Sequence, residues 1–297
     1  MNDTERSLTL PAHAKINLSL RVLGKRSDGY HSVDTRMVRL SVADQVTVKQ
    51  IEGQTSKLTC SDETLPLDES NLALKALRVF EERCGPNWKL FGDKRPGPPS
   101  WSIHLEKQVP AGAGLGGGSS DAAAVLKALN QLSGSPFSLA QLAEMAGPIG
   151  SDVPFFLYDS VCDATGRGEV IEPVPFPHEL NIVLVKPPFG IPTAWAYQKW
   201  KDSEELKGVL YAQQICPWGT MVNDLERPVF AKHLLLPSLK MWLLEQPETL
   251  AAMMSGSGST VFAVACSGVE AARLAERAQQ WCGETSWVRL AKTLPNR

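Results

Sequence analysis

The sequence lacks the marks of several protein classes. No apolar run approaches the about 20 residues that cross a bilayer. All are short, such as Ile182–Val185 and Val261–Cys266. Neither charge dominates: 30 Lys and Arg stand against 32 Asp and Glu, a net charge of −2, so no basic surface advertises nucleic acid. Cysteine is sparse. The six residues Cys60, Cys84, Cys162, Cys216, Cys266 and Cys282 form no C-x-x-C pair and sit beside no histidine in metal-ligand spacing, which reads as scattered thiols in a reducing compartment. The opening Met-Asn-Asp-Thr-Glu-Arg-Ser carries acids and no apolar stretch. It reads as neither a secretory nor an organellar leader, which implies a cytoplasmic protein. There is no internal repeat and no low-complexity tract.

What remains is ordinary globular composition, 43% apolar and 21% charged, in 297 residues, a length for roughly two domains. From Lys15 to Val22 the chain alternates, with Ile16, Leu18, Leu20 and Val22 on one face and Lys15, Asn17, Ser19 and Arg21 on the other. That is the pattern of a half-buried strand. Met37–Val48 reads as further strand with a break near Ala43-Asp44-Gln45. Ser70 reads as the cap of a helix that carries Leu74, Leu77 and Phe80 on one face and stops at Gly85. Pro86–Ser100, with four prolines, reads as an exposed insertion, and Trp101, Ile103 and Leu105 restart a strand. Helices are expected to Leu132 behind Ser119, Ser120 and Asp121, over Ser138–Ala146, from Thr193 with three aromatics, over Leu234–Leu244, and over Gly268–Trp281. Strands are expected over Asn181–Lys186 and Val261–Cys266. The alternation is α+β, with a soft boundary between Cys162 and Pro177 that divides the chain into residues 1–165 and 166–297.

The strongest local signal is Pro110-Ala111-Gly112-Ala113-Gly114-Leu115-Gly116-Gly117-Gly118-Ser119-Ser120, followed by Asp121. Small residues let backbone approach a ligand, and a helix N-terminus directly behind them makes a seat for phosphate oxygens. Gly112, Gly114 and Gly117 satisfy G-x-G-x-x-G, but a dinucleotide fold wants the strand to run straight into the first glycine, and an acid about 20 residues on. Here Pro110 intervenes, and after Asp121 the next acid is Glu144. No lysine follows the glycines, so the P-loop pattern fails too. A flexible linker fits poorly between an apolar strand and an Ala-rich helix.

This segment resembles the second motif of the GHMP kinase superfamily. Pro11-Ala-His-Ala-Lys-Ile-Asn-Leu-Ser-Leu with Asp28-Gly-Tyr-His-Ser resembles the first, and Met254-Ser-Gly-Ser-Gly-Ser-Thr-Val-Phe the third. The order and spacing span nearly the whole chain. The Ala-Lys-Ile-Asn-Leu and Asp-Gly-Tyr-His pair is similar to the branch that phosphorylates a cytidine diphosphate conjugate of methylerythritol in non-mevalonate isoprenoid synthesis.

The resemblance implies a two-domain architecture, with an N-terminal α/β domain for ATP, a C-terminal α+β domain for the substrate, and catalysis in the cleft between them. It implies Asp152 as general base, where the segment alone suggests an ordinary turn aspartate. Lys15, otherwise a solvated strand lysine, would pair with Asp152 and keep it ionised. Asn17, on the same strand face, would bind substrate or Lys15. Tyr30 and His31 would take the cytosine by stacking and hydrogen bonding, with Tyr197 as the second stacking ring in competition with Trp195, and Thr193 nearby. Pro110–Ser120 would cradle the ATP phosphates. Asn71 and Lys107 match nucleotide-side positions, against plain readings as a helix cap and a strand-end lysine. The Ser255–Ser259 turn would lie near the substrate. Mg²⁺ is expected with ATP. No dedicated metal cage is visible, and Ser120 stands as the candidate ligand. The partner is a small molecule, with no nucleic acid or membrane, and the state a monomer or homodimer. The rivals are another GHMP kinase, such as one acting on homoserine, and a non-catalytic ATP-binding module.

Overall fold

Two long strands open the chain because its first fifty residues are rich in alternating and β-branched side chains. A computed structural model describes residues 6–52, 55–85 and 99–296. In chain order the elements are β1 (Ser7–Lys25), β2 (His31–Ile51), β3 (Lys57–Cys60), α1 (Leu72–Cys84), β4 (Ser100–Glu106), α2 (Gly117–Leu132), α3 (Leu139–Ala146), β5 (Cys162–Thr165) and β6 (Val170–Pro173). They continue with β7 (Asn181–Lys186), α4 (Thr193–Trp200), β8 (Gln214–Cys216), β9 (Gly219–Asn223), α5 (Glu226–Lys232), α6 (Leu235–Leu244), β10 (Thr249–Met254), β11 (Val261–Ala265), α7 (Gly268–Cys282) and β12 (Trp287–Lys292). The expected exposed loop falls largely on residues 86–98, outside the described residues, and Ser100 already belongs to β4.

The chain divides into two units. Unit one comprises Met1–Ala14, Ala43–Val109 and Gly117–Tyr158; unit two comprises Lys15–Val42, Pro110–Gly116 and Asp159–Arg297. The strands β1 and β2 contribute residues to both.

In unit one, β4 pairs antiparallel with β2 (Val46 opposite Leu105, Val48 opposite Ile103) and parallel with β3. Helix α1 packs along α2, whose Ala122, Ala123 and Ala124 are buried and leave room for the larger residues of α1. Leu77 and Phe80 are fully buried, each contributing on the order of 1.5–3 kcal/mol by apolar burial. Gly85 ends α1 at φ 54°, its N–H bonded to the carbonyls of Glu81 and Glu82. Ser138 and Gln141 close a capping box on α3.

In unit two, the four strands β10-β11-β7-β12 form an antiparallel sheet. Ile182, Val183, Leu184 and Val185 of β7 are all fully buried, so this short run is covered on both faces. Leu274 and Ala278 of α7 and Leu239 and Leu243 of α6 complete that core. The second half of β1 pairs parallel with β9, and the first half of β2 pairs with β5.

Four sequence expectations are corrected. There is no break at Ala43-Asp44-Gln45: β2 runs unbroken, because the fully buried carboxylate of Asp44 finds partners there. The cap of α1 is Asn71, not Ser70, since Ser70 is engaged with Asp68. Helix α2 begins at Gly117, so Ser119, Ser120 and Asp121 lie inside its first turns and not before them. The strand holding Lys15 is longer than the pattern shows, and two residues of its polar face are not solvated: Lys15 is 4% and Asn17 2% exposed.

Candidate active site

Burial of an ammonium and a carboxamide on β1 requires partners for both. Lys15 Nζ donates to Asn17 Oδ1 at 2.6 Å, Asn17 Nδ2 donates to Thr35 Oγ1 at 2.7 Å, and the Thr35 hydroxyl donates to the Ser19 carbonyl at 2.6 Å. This relay fixes the Lys15 side chain on a strand rather than a loop. The Lys15 N–H also bonds the Leu115 carbonyl at 2.9 Å, tying the glycine loop to β1.

Within unit two the loop residues Pro110–Gly116 meet the turn that follows β10. Gly114, at φ 74°, admits no side chain: a Cβ there would lie 2.2 Å from the Ser255 carbonyl oxygen. Ser255 Oγ donates to the Gly114 carbonyl at 2.9 Å, and the Thr260 N–H bonds the Ala113 carbonyl at 3.2 Å. Gly256 is closed in by the same loop, since a Cβ on it would stand 3.1 Å from the Gly114 carbonyl oxygen. That Cβ would also stand 3.3 Å from Lys15 Nζ and 3.5 Å from Asn17 Oδ1. All three sequence motifs therefore contribute to one place in this unit. Thr193, the first residue of α4, joins it through a 2.9 Å hydroxyl contact with Ser257.

The aromatic residues form a second group in unit two. His31 stacks on Tyr197 with centroids 5.5 Å apart and meets Trp200 edge-on at 6.2 Å. Trp195 goes elsewhere, to His233 and to Lys232, whose Nζ lies 4.3 Å from the ring centroid. Tyr30 is 53% exposed and carries the Arg167 guanidinium 4.8 Å over its ring. Burial, and then the charge of Lys25, hold the His31 imidazole below its usual pKa, which leaves it neutral at pH 7.

In unit one, α2 starts at Gly117, and the first amides of that end have no partner within the helix. Lys107 lies beside that end: a Cβ on Gly117 would stand 3.6 Å from its Nζ. The ammonium is held between Asp44 and Asp121, with the Asp121 Oδ2 contact at 2.6 Å. Asp44 Oδ1 also accepts the N–H groups of Gln108 (2.5 Å) and Val109 (2.8 Å). Two buried carboxylates share one cation. Burial, with Asp44 adding to it against Lys107, pushes Asp121 up to about 7. Burial lowers the Lys107 pKa, but Asp121 and Asp44 outweigh it and the net shift is upward.

Asn71 accepts the Ala73 N–H at 2.9 Å and donates to the Pro66 carbonyl at 2.8 Å, the geometry of a helix cap. Asp152 lies in the turn between α3 and the short 3-10 helix Pro154–Leu157, whose four residues are buried. It does not cap that helix, whose N-cap is Val153. The turn sits near the start of α2, since a Cβ on Gly150 would lie 3.9 Å from Ser119 Oγ.

Thus Lys15, Asn17, Tyr30, His31, Pro110–Gly116, Thr193 and Tyr197 belong to unit two, and Asn71, Lys107, Gly117–Ser120 and Asp152 to unit one. Sequence reasoning missed Thr35, and it missed Asp44, although an acid among Val42, Ala43 and Val46 was a visible signal.

The fold is that of the GHMP kinases. Residues 71–160 match the GHMP kinases N terminal domain and residues 217–284 the GHMP kinases C terminal domain. A 4-diphosphocytidyl-2-C-methyl-D-erythritol kinase of Methylacidiphilum infernorum is 40% identical over 288 residues, covering 95% of this chain and 96% of that one. A crystal structure of 4-(cytidine 5'-diphospho)-2C-methyl-D-erythritol kinase superposes with a TM-score of 0.72 at 32% identity, covering 96% of this chain and 99% of that one. A homoserine kinase from Cytophaga hutchinsonii shares the fold at 18% identity and a TM-score of 0.68, covering 100% of this chain and 97% of that one. The chain belongs to the 4-diphosphocytidyl-2-C-methyl-D-erythritol kinase family of the GHMP kinases. It is an ATP-dependent small-molecule kinase. No helix among the described residues is long and apolar enough to cross a membrane.

Proposed function

We propose that the protein transfers the γ-phosphoryl group of ATP to the 2-hydroxyl of 4-diphosphocytidyl-2-C-methyl-D-erythritol, a step of the non-mevalonate route to isoprenoid precursors. The observation that carries this reading is the meeting of Lys15, the glycine loop and the Ser255–Gly258 turn, in a chain whose full-length relatives bear that name.

Phosphoryl transfer asks for positioning and charge neutralisation more than for covalent work. In this reading Asp152 takes the proton of the acceptor hydroxyl as the new P–O bond forms. The Lys15 ammonium offsets charge on the transferring group. The amides of Gly112–Ser120 and the N-terminal end of α2 receive the phosphates, with the Lys107 cation beside them. Asn71 is assigned to the nucleotide as well as to its cap. Asn17 orients Lys15, while Tyr30, His31 and Tyr197 hold the cytosine and Thr193 the linking part. A neutral His31 offers both a donor and an acceptor to a base edge. Residues 1–165 carry the ATP-binding part together with Asn17, Tyr30 and His31 of the acceptor site, which residues 166–297 complete.

Mg²⁺ would neutralise the β and γ oxygens. No group of three or more His, Cys, Asp or Glu that could hold a metal exists among the described residues. The chain suits an ion held chiefly by the nucleotide's own oxygens, with Ser120 as its candidate side chain. Six free thiols support a reducing compartment, which we take to be a bacterial cytosol.

Replacing Asp152 with Asn tests the base. Turnover should drop by a few orders of magnitude with ATP affinity nearly unchanged, and equal activity would remove Asp152 from the reaction.

A further inference from the structure

The turn that faces Lys15 is itself held from behind. Asn223, the last residue of β9, is 4% exposed and uses every polar atom of its side chain. Its Nδ2 donates to the Met254 carbonyl and to the Gly256 carbonyl, each at 2.8 Å. Its Oδ1 accepts the Leu225 N–H at 2.9 Å. One carboxamide thus pins two carbonyls, two residues apart, that bracket the start of the Ser255–Gly258 turn.

A second grip lies one step further along the chain. Glu226 Oε1 accepts the Met254 N–H at 2.9 Å, and its Oε2 takes the ammonium of Lys240 at 2.7 Å. Both side chains are 2% exposed, and Lys240 Nζ also donates to the Leu210 carbonyl. A buried ion pair makes a rigid anchor because neither charge can be left alone in the core. Met254 is therefore held at its N–H by Glu226 and at its carbonyl by Asn223, immediately before the turn whose Gly256 abuts Lys15 and whose Ser255 bonds Gly114.

We propose that Asn223, backed by Glu226, is a positioning residue for phosphoryl transfer, setting the distance between the Ser255–Gly258 turn and the Lys15 ammonium. This rests on the assignment of Lys15 to the reaction. The residue type is demanded by the geometry: aspartate would turn a double donor into an acceptor facing two carbonyls, and serine would keep one donor on too short a stem. Neither the Asn223–Glu226 segment nor Lys240 belongs to the three sequence motifs.

The test compares three single variants and one double variant of the full chain. Asn223→Ser should lower kcat by roughly ten- to a hundredfold, the range expected when a reacting group is displaced by about 1 Å, with KM for ATP and acceptor within about twofold. Leu243→Ala, in the fully buried core of α6, should destabilise the chain comparably while leaving kcat unchanged where both variants are folded. Lys15→Met is measured alongside, singly and combined with Asn223→Ser. If Asn223 acts through Lys15, the combined loss is no larger than that of Lys15→Met alone. Should Asn223→Ser not fold, Ser255→Ala, which removes the bond to Gly114, should show the same loss confined to kcat. Wild-type kcat in Asn223→Ser beside an inactive Lys15→Met overturns this inference alone. An active Lys15→Met overturns it together with the role of Lys15. An equal kcat loss in Leu243→Ala reduces Asn223 to a structural residue.

Discussion

Lys15 and Asn17 stand two residues apart on one strand face, and the ammonium of the first donates to the carboxamide oxygen of the second at 2.6 Å. Both are almost fully buried, so the bond is not diluted by water. Asn17 passes the restraint to Thr35 and from there to the Ser19 carbonyl. Asn17→Leu keeps the size but removes the acceptor. Steady-state kinetics should show kcat falling about ten- to a hundredfold, with KM for ATP little changed. Full activity in that variant would mean that Lys15 is oriented without Asn17.

The two glycines Gly114 and Gly134 separate strain from collision. Both have positive φ, 74° and 83°. A Cβ at Gly134 meets nothing within 4 Å, whereas at Gly114 it would be 2.2 Å from the Ser255 carbonyl. Gly134→Ala should cost about 1–2 kcal/mol in urea unfolding, the left-handed penalty alone. Gly114→Ala should cost more and should abolish turnover, because the Ser255–Gly258 turn must move away from Lys15. Equal costs for the two would contradict the packing described.

Asp121 carries a pH signature. Its pKa is raised to about 7 in the folded chain, above an ordinary aspartate. Between about pH 4 and 7 the folded state therefore binds the extra proton, and stability falls as pH rises through that window. Asp121→Asn lacks this slope. Relative to wild type, its urea midpoint should improve from pH 5 to pH 8. A constant difference would mean that Asp121 is ionised throughout.

His31 and Tyr197 stack on each other, and His31 is held neutral by burial and Lys25. His31→Ala should raise the acceptor KM about tenfold or more while kcat and the ATP KM stay near wild type. An unchanged acceptor KM would take His31 away from the cytosine.

The motifs were legible because they are local. The glycine run, the alternation around Lys15 and the aromatic-rich helix opening at Thr193 announce themselves in consecutive residues, and α4 does begin at Thr193. What was illegible depends on distant partners. Asp44 reads as a strand breaker until Lys107 and two main-chain N–H groups are brought to it from sixty residues away. Ser70 and Asn71 are both good caps, and only the prior engagement of Ser70 with Asp68 decides between them. The burial of Lys15 was hidden for the same reason: alternation marks one face as apolar but does not show what covers the other. Trp195 and Tyr197 are two residues apart on one helix, so only the position of His31 distinguishes them.

The most direct test of the central claim is ADP release by the purified chain with ATP and Mg²⁺. Diphosphocytidyl-methylerythritol, homoserine, mevalonate and galactose are offered in parallel. Release with the first acceptor alone is the predicted result. Turnover with homoserine, mevalonate or galactose, or silence with all four beside measurable ATP binding, would contradict it.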